Sequence, residues 1–421
     1  MEKICVIGLG YIGLPTASFL ATKGHDVHGV DISEPVVKAL NCGKILIKEP
    51  ALDILVKSAV GSGKLHASIT PDFADIFILS LPTPFKDDKQ PDLSFVRCGV
   101  ESIAPYLAPG NCVILESTSP VGTTEMICSW LHELRPDLSL PGYPHEHIEQ
   151  IYLAHCPERV LPGRILVELV HNDRIVGGID QPSTEKIAQF YESFVQGTVY
   201  KTSAKLAELS KLIENCYRDV NIAFANELSL VCSKLGLNVW EAIHLANRHP
   251  RVNILSPSVG VGGHCISVDP WFLIYNAPKE TRLIHTARMV NDSKPDYVLK
   301  LIYTKAKRFS SPVIACMGLT FKPDVDDLRE SPALKIVSKL ASNNSAQLLV
   351  VEPNINDLPE KLQNFSNIKK CDMEEAVQAS DMVVIMVKHK EFCALRQNAL
   401  QDVLLGKVII DACGIFQNIP D

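Results

Sequence analysis

Apolar residues along this chain follow two periods, and the points where one gives way to the other outline its architecture. Residues 3–7 form a short β-branched run that predicts a strand. A glycine-rich turn follows, and Pro15 then opens a helical pattern that runs to about Lys23, where Gly24 stops it. A second strand is predicted at 27–30, and buried-strand runs follow at 75–80, 112–116 and 151–155, the last of the first half. From 203 to 236 the period changes. Leu206, Leu209, Ile213, Cys216, Val220, Phe224, Leu228, Val231 and Leu235 keep helical spacing with no proline between them. Ser203 can cap the start of this helix and Gly236 can end it, over a length of about 50 Å at 1.5 Å per residue. A shorter helical region covers about 284–307. The strand pattern then restarts at 312–317, 347–351, 381–387 and 407–411. The expected fold is α/β: two Rossmann-like doubly wound domains joined by a long central helix. The expected boundaries are 1–200, 201–308 and 309–421. The apolar stripe of the long helix exceeds what one lobe can cover, so a homodimer sealed along it is expected.

Composition narrows the class. The chain has 421 residues, 46% hydrophobic and 21% charged, as expected of a globular protein with sizeable cores. A net charge of -7 without a long basic run argues against nucleic acid or an anionic membrane as the main partner. Met1-Glu2-Lys3 runs directly into the first strand, which predicts no signal peptide, and no apolar run approaches a membrane span. The thirteen cysteines include no C-x-x-C pair, so neither a zinc site nor a disulfide framework is expected. A reducing, cytoplasmic protein fits that usage. His145-Glu146-His147 lies in a polar stretch with glycine and proline and reads as a solvated loop, so no metal is expected.

The chemistry gathers at a few places. Gly8-Leu9-Gly10-Tyr11-Ile12-Gly13 is a G-x-G-x-x-G turn between a strand and a helix, and Asp31 ends the next strand 18 residues beyond the last glycine. Such glycines let a pyrophosphate approach the backbone and the helix N-terminus, while the acid accepts hydrogen bonds from ribose hydroxyls. Asp31 with no neighbouring arginine favours NAD over NADP. The strands at 75–80 and 112–116 end in Leu81-Pro82-Thr83-Pro84 and Ser117-Thr118-Ser119-Pro120-Val121-Gly122, at the edge where doubly wound sheets bind ligands. Glu158, after the 151–155 strand, falls on the same edge. On the long helix Glu208, Lys211 and Asn215 form one stripe, which by itself reads as a solvated face. Between the helices, Gly260, Gly262 and Gly263 precede Cys265, and Asp269 follows four residues later. A thiol with a carboxylate close by suits a nucleophile and its helper, and equally a structural thiol beside a glycine loop. Asp326-Asp327-Leu328-Arg329-Glu330-Ser331-Pro332, between the first two strands of the second α/β unit, reads as a helix start carrying one basic residue.

Taken together, these motifs resemble the UDP-glucose/GDP-mannose dehydrogenase family of nucleotide-sugar 6-dehydrogenases, over essentially the whole chain. The carriers are GLGYIGLPT, LPTP, ESTSPVG, CPERVLPG, AELSKLIEN, GVGGHCISVDP and FKPDVDDLRESP, in that order. The form HCISVDPWF and the segment from Asn247 to Ile254 are similar to the branch acting on UDP-N-acetylhexosamines, with the C2 epimer left open. UDP-glucose enzymes tend to have G-G-S-C-F there. The resemblance implies two NAD per substrate, with Cys265 as nucleophile and Asp269 its nearby carboxylate. It implies Lys211 and Asn215 at the reacting carbon, and Thr118 and Glu158 positioning water. Gly8, Gly10, Tyr11, Ile12, Gly13, Asp31, Thr83, Thr118 and Arg329 fall on cofactor positions. Glu158, Arg159, Val160, Lys211, Asn215, Arg251, Asn253, Gly262, Phe321 and Lys322 fall on substrate positions, Arg251 from a partner subunit. The last strand ends Asp411-Ala412-Cys413, without the arginine some UDP-glucose enzymes carry there.

Overall fold

The computed structural model describes residues 1–416 apart from Lys48, 161–162 and 397–399, so two residues of the CPERVLPG motif lie outside the described residues. The chain forms two compact units, Met1–Glu214 with Trp271–Ala277, and Asn215–Pro270 with Pro278–Asp421. The first holds eight strands: β1 (Lys3–Ile7), β2 (Asp26–Val30), β3 (Leu65–Ser68), β4 (Ile76–Leu79), β5 (Cys112–Leu115), β6 (Tyr152–His155), β7 (Arg174–Gly178) and β8 (Val199–Ser203). Their order in the sheet is β3-β2-β1-β4-β5-β6-β7-β8, parallel throughout except where β7 turns antiparallel to β6. Successive side chains of a strand face opposite sides of a sheet. Accordingly Ile4, Val6, Val27, Ile78 and Ile114 fill one core layer, and Cys5, Ile7, Phe77, Leu79, Val113 and Leu115 fill the other. Strands buried on both faces read as unbroken apolar runs, which is why β1, β4 and β5 were legible. The strand expected at 151–155 is not the last of this half, since β7 and β8 follow it. β8 is an edge strand, Val-Tyr-Lys-Thr-Ser, mostly open to water, and it lacks the apolar run that marks a central one.

The second unit carries β9 (Val313–Met317), β10 (Gln347–Val351), β11 (Ile368–Lys370), β12 (Met382–Ile385) and β13 (Val408–Asp411), all parallel in the order β11-β10-β9-β12-β13. Its opening repeats that of the first unit. After β1, Gly8 takes φ +94°, its N–H donates to the Val30 carbonyl at 2.8 Å, and the Leu9 N–H donates to Asp31 Oδ2 at 2.9 Å. After β9, Gly318 takes φ +93°, its N–H donates to the Val351 carbonyl at 2.9 Å, and the Leu319 N–H donates to Glu352 Oε2 at 2.7 Å. In the second unit that acid is enclosed. His389, fully buried, accepts the Asp324 N–H at Nδ1 (3.0 Å), so its Nε2 carries the proton and donates to Glu352 Oε2 at 3.1 Å. Asn354 donates to Glu352 Oε1 through its backbone N–H, at 3.0 Å. Asp324, His389 and Glu391 lie close enough together to hold a cation, but both His389 nitrogens are already engaged.

The long helix is Ala204–Leu235, through Glu214 part of the first unit and from Asn215 part of the second. Its apolar residues divide between two faces. Ala207, Leu212, Cys216, Ala223 and Cys232 are buried, whereas Leu206, Ile213, Tyr217, Phe224, Val231 and Leu235 are exposed. Ser203, expected to cap this helix, ends β8 and directly precedes the helix start. The stretch 326–332, expected to start a helix, is irregular through Glu330 and delivers the helix Pro332–Asn343 at its end, where the Ser331 hydroxyl accepts the Leu334 N–H. Among the described residues no helix is long and apolar enough to cross a membrane.

Glu352 sets a pH dependence for the second unit. Burial works to raise its pKa, but the His389, Leu319 and Asn354 donors outweigh that and bring it down to about 2. A depressed carboxyl pKa stabilises the fold above the unfolded value near 4.5 and loses that contribution as pH falls toward 2. Acid titration of wild type followed by tryptophan fluorescence should show stability falling across that window. In Glu352→Gln the fall should be markedly shallower, from a lower neutral-pH stability.

Candidate active site

The glycines of the first turn are fixed by contact. A Cβ on Gly8 would meet the Ser80 carbonyl oxygen at 2.4 Å, and one on Gly13 would meet the Gly8 oxygen at 1.8 Å, so neither position accepts a side chain without backbone movement. Gly10 faces open space. The helix Gly13–Thr22 starts at Ile12 with no side-chain cap and no acid in its first turn, so its N–H groups and positive dipole end remain available to an anion. Tyr11 lies in the same turn. Asp31 is held by the Leu9 N–H and by the Ser33 N–H on its other oxygen, both at 2.9 Å. Beyond β4 and β5, Thr83 donates to the Thr118 carbonyl at 2.6 Å, which brings those two loops together as expected from their place on the sheet edge.

A buried charge cluster lies beneath that edge. Glu158, 8% exposed, accepts the Arg159 N–H (2.6 Å) and Arg174 Nη1 (2.8 Å). Arg174, 2% exposed, also lies over the Tyr191 ring. Tyr191 donates to Glu116 at 2.9 Å and Ser80 donates to its other oxygen at 3.2 Å. Burial first, then the charge of Glu158, push Glu116 up to about 7 against the pull of Arg174. Glu158 is thus held against a fixed positive charge, and burial makes the neighbouring Glu116 carboxyl easier to protonate. Arg159 pairs with Glu214 at 2.7 Å, and the half-buried Val160 packs on Ile165 and Leu169. Glu208 corrects the reading of its stripe as a solvated face. It is fully buried and accepts the Gly122 N–H (2.6 Å), the Thr124 N–H (2.8 Å) and the Thr124 hydroxyl (2.6 Å), capping the helix Thr123–Leu134. Lys211, one turn further along, is half-buried.

In the second unit, the cysteine turn packs on Phe321. A Cβ on Gly262 would meet Phe321 Cβ and the Glu330 oxygen at 2.8 Å, and one on Gly263 would meet the Phe321 ring at 2.9 Å. Only a bare backbone fits against that ring. The Gly263 N–H donates to the Arg329 carbonyl at 2.9 Å, and the Val268 and Asp269 N–H groups donate to the Cys265 carbonyl at 3.0 and 2.8 Å. Cys265 itself is exposed, whereas Cys5, Cys112, Cys128, Cys156, Cys216 and Cys316 are buried with pKa pushed up to about 12. Asp269, 3% exposed, opens the helix Asp269–Asn276 and accepts Asn215 Nδ2 at 2.5 Å. Lys322 lies over the Phe321 ring, and Arg329 forms a two-pronged pair with Asp327. Arg251 and Asn253 are exposed on the loop after the helix Val239–Ala246.

Comparison with known proteins places this geometry. The NAD binding domain of the UDP-glucose/GDP-mannose dehydrogenase family matches residues 2–195, its central domain 205–293 and its UDP binding domain 315–418. The chain belongs to that family. A UDP-N-acetyl-D-mannosamine dehydrogenase of Campylobacter jejuni is 56% identical over 94% of this chain and 98% of its own length. An NDP-N-acetyl-D-galactosaminuronic acid dehydrogenase of Ralstonia nicotianae is 52% identical over 99% of the chain and 96% of its own. The solved UDP-D-ManNAc dehydrogenase of Pyrococcus horikoshii superposes with a TM-score of 0.87 at 37% identity, covering 99% of this chain and 97% of that one. As a member of the dehydrogenase family, the chain is an NAD-dependent enzyme. The first turn fits that cofactor: the crowded Gly8 and Gly13 shape the loop, open Gly10 leaves the backbone accessible, and the uncapped helix start can receive the pyrophosphate.

Sequence reasoning missed Arg174, Tyr191 and Glu116 as the buried cluster around Glu158. Glu116 stood in the ESTSPVG motif as a plain strand end. The available signal for Arg174 was a lone arginine opening the apolar run Arg-Ile-Val-Gly-Gly.

The two glycine environments predict different outcomes for one added methyl group. Gly10→Ala should leave the melting temperature within about 2 °C of wild type, because the Cβ meets nothing, but weaken NAD at least tenfold, about 1.4 kcal/mol. Gly13→Ala should weaken NAD and also lower the melting temperature. Calorimetric titration and thermal melts on both variants check this.

Proposed function

We propose that this enzyme oxidises the C6 alcohol of UDP-N-acetyl-D-mannosamine to the carboxylate of UDP-N-acetyl-D-mannosaminuronate, supplying a surface-polysaccharide precursor. The exposed Cys265 on its glycine turn, with Asp269 fixed by Asn215, carries the reaction type. The names of the relatives carry the sugar. The Ralstonia relative, at 52% identity, favours a second reading in which the sugar is an N-acetylgalactosamine-type substrate. A glucosamine-type substrate, the C2 epimer of mannosamine, belongs to the same panel.

NAD, when bound, accepts hydride, twice for each alcohol taken to an acid. Lys211 steadies the alkoxide that develops as the C6 hydroxyl loses its proton. In the second stage Cys265 Sγ adds to the C6 aldehyde, forming a C–S bond while the carbonyl oxygen gains a proton. This thiohemiacetal then loses a hydride from C6 and the proton of its hydroxyl to water, leaving a thioester. Water then adds, the C–S bond breaks, the thiol is restored and the carboxylate departs. Thr118, Glu158 and Asp269 position that water, Glu158 held by Arg174 and Asp269 oriented by Asn215. Phe321, Lys322, Gly262, Arg159, Arg251 and Asn253 serve the nucleotide sugar, and Arg329 the cofactor side. The working unit is a homodimer. Leu206, Ile213, Tyr217, Phe224, Val231 and Leu235 recur along one exposed line of the long helix, a seam that a second copy of the same helix would cover.

Incubation with NAD and a panel of UDP-N-acetylhexosamines should give carboxylate fastest from the mannosamine epimer; preference for another epimer overturns the sugar assignment. Cys265→Ala should keep NAD affinity while carboxylate formation falls by several orders of magnitude, and Cys265→Ser should accumulate an ester adduct visible by intact mass. Near wild-type carboxylate from Cys265→Ala would make the thiol structural. For the seam, sedimentation of wild type should give a dimer and Phe224→Glu should shift it to monomer; an active wild-type monomer refutes the dimer.

A further inference from the structure

We propose that Arg288 is a positioning residue, which holds the turn carrying Cys265 in place through a buried network that joins the long helix, the helix Arg282–Ala306 and the cysteine loop. This rests on the reading of Cys265 as the nucleophile. Arg288 is fully buried, an unusual state for an arginine, and its guanidinium reaches three acceptors. Nη1 donates to Asp219 Oδ1 at 2.5 Å and to the carbonyl of Ile266 at 3.4 Å, and Nη2 donates to Asp292 Oδ1 at 2.5 Å. Ile266 is the residue after Cys265, so the arginine grips the peptide that leaves the nucleophile.

The surrounding groups make the grip rigid. Asn291, one helical step beyond Arg288, donates to Asp219 Oδ1 at 2.8 Å and to the Asp219 carbonyl at 3.0 Å. Asn226 Nδ2 donates to Asn291 Oδ1 at 2.9 Å, and Asn226 Oδ1 accepts the Ser258 N–H at 2.8 Å, where the loop enters. Asp219, Asn226 and Asn291 are each no more than 1% exposed. One face of the long helix thus fixes the turn at both ends. Asn215 holds Asp269 directly, and Asp219, a turn later, holds Ile266 through Arg288. Between these anchors the turn closes on itself through the Val268 and Asp269 N–H groups on the Cys265 carbonyl. A planar five-donor guanidinium can serve Asp219, Asp292 and a carbonyl together, which a lysine ammonium cannot do in one geometry.

Two variants test this. Arg288→Lys keeps a cation beside Asp219 but gives up the forked reach. The paired replacement Asp219→Leu with Arg288→Met removes both charges, so neither is left buried alone and the fold is preserved. Amide hydrogen exchange of the 263–270 segment should accelerate at least tenfold in both, while the 8–13 segment and NAD affinity stay as in wild type. With the preferred UDP-sugar, kcat should fall at least tenfold and KM should change less than threefold. Exchange within twofold of wild type, or kcat within threefold, in the paired variant overturns the proposal. The exchange readout does not depend on Cys265 chemistry. If Cys265→Ala makes carboxylate normally, the nucleophile reading fails on its own, and exchange still decides whether Arg288 holds the turn.

Discussion

A carboxylate withdrawn from water is tolerated only where donors are aimed at it, and this chain organises its working parts around such carboxylates. Asp31 is gripped by two backbone N–H groups and Glu352 by three more with an imidazole. Glu208 caps a helix from another helix, and Glu158 is locked onto Arg174. Asp269 and Asp219 each tie the long helix to the cysteine turn. In each case at least one donor comes from an element distant from the acid, so the acid sets the position of both. Removing a partner leaves a buried charge or an unsatisfied N–H, so the same contacts that orient the site also stabilise the units.

The two sheets show how one device is turned to different ends. Both begin with a strand, a glycine in the left-handed region and an N–H donated to the acid that ends the second strand. In the first unit that acid keeps acceptor capacity beside an open Gly10 and an uncapped helix, a setting for a ribose and a pyrophosphate. In the second, His389 and Asn354 occupy the acid from the other side. Its helix also begins under a Ser331 cap. The second unit keeps the scaffold and gives up the dinucleotide site, which agrees with its match to a UDP binding domain.

The long helix carries several constraints at once along its length. Near its start Glu208 faces inward as a cap and Lys211 follows a turn later. Asn215, Asp219 and Asn226 then continue along buried positions that serve the cysteine turn and the helix Arg282–Ala306. Its outer apolar line serves none of these. A helix used this way tolerates little change on the inner face, because each polar position there is matched to a particular donor or acceptor.

By itself the sequence determined the parts governed by local rules. Buried parallel strands need unbroken apolar runs, so 3–7, 112–116 and 347–351 could be read directly, as could the long helix from its period. Gly8, Gly13 and Asp31 were legible because a tight turn beside a phosphate admits no side chain and a ribose needs an acceptor. The exposed, glycine-presented Cys265 and its Asp269 were visible as a spacing. What the tertiary structure decided were the pairings between distant segments: Glu208 with Gly122, Arg174 with Glu158, Arg288 with Asp219 and Ile266. Edge strands such as β8 also had to be seen, because half-exposed strands lack an apolar run. No local rule says whether a charged side chain is solvated or buried. That depends on whether a donor from far along the chain arrives to meet it, and only the folded arrangement specifies which one does.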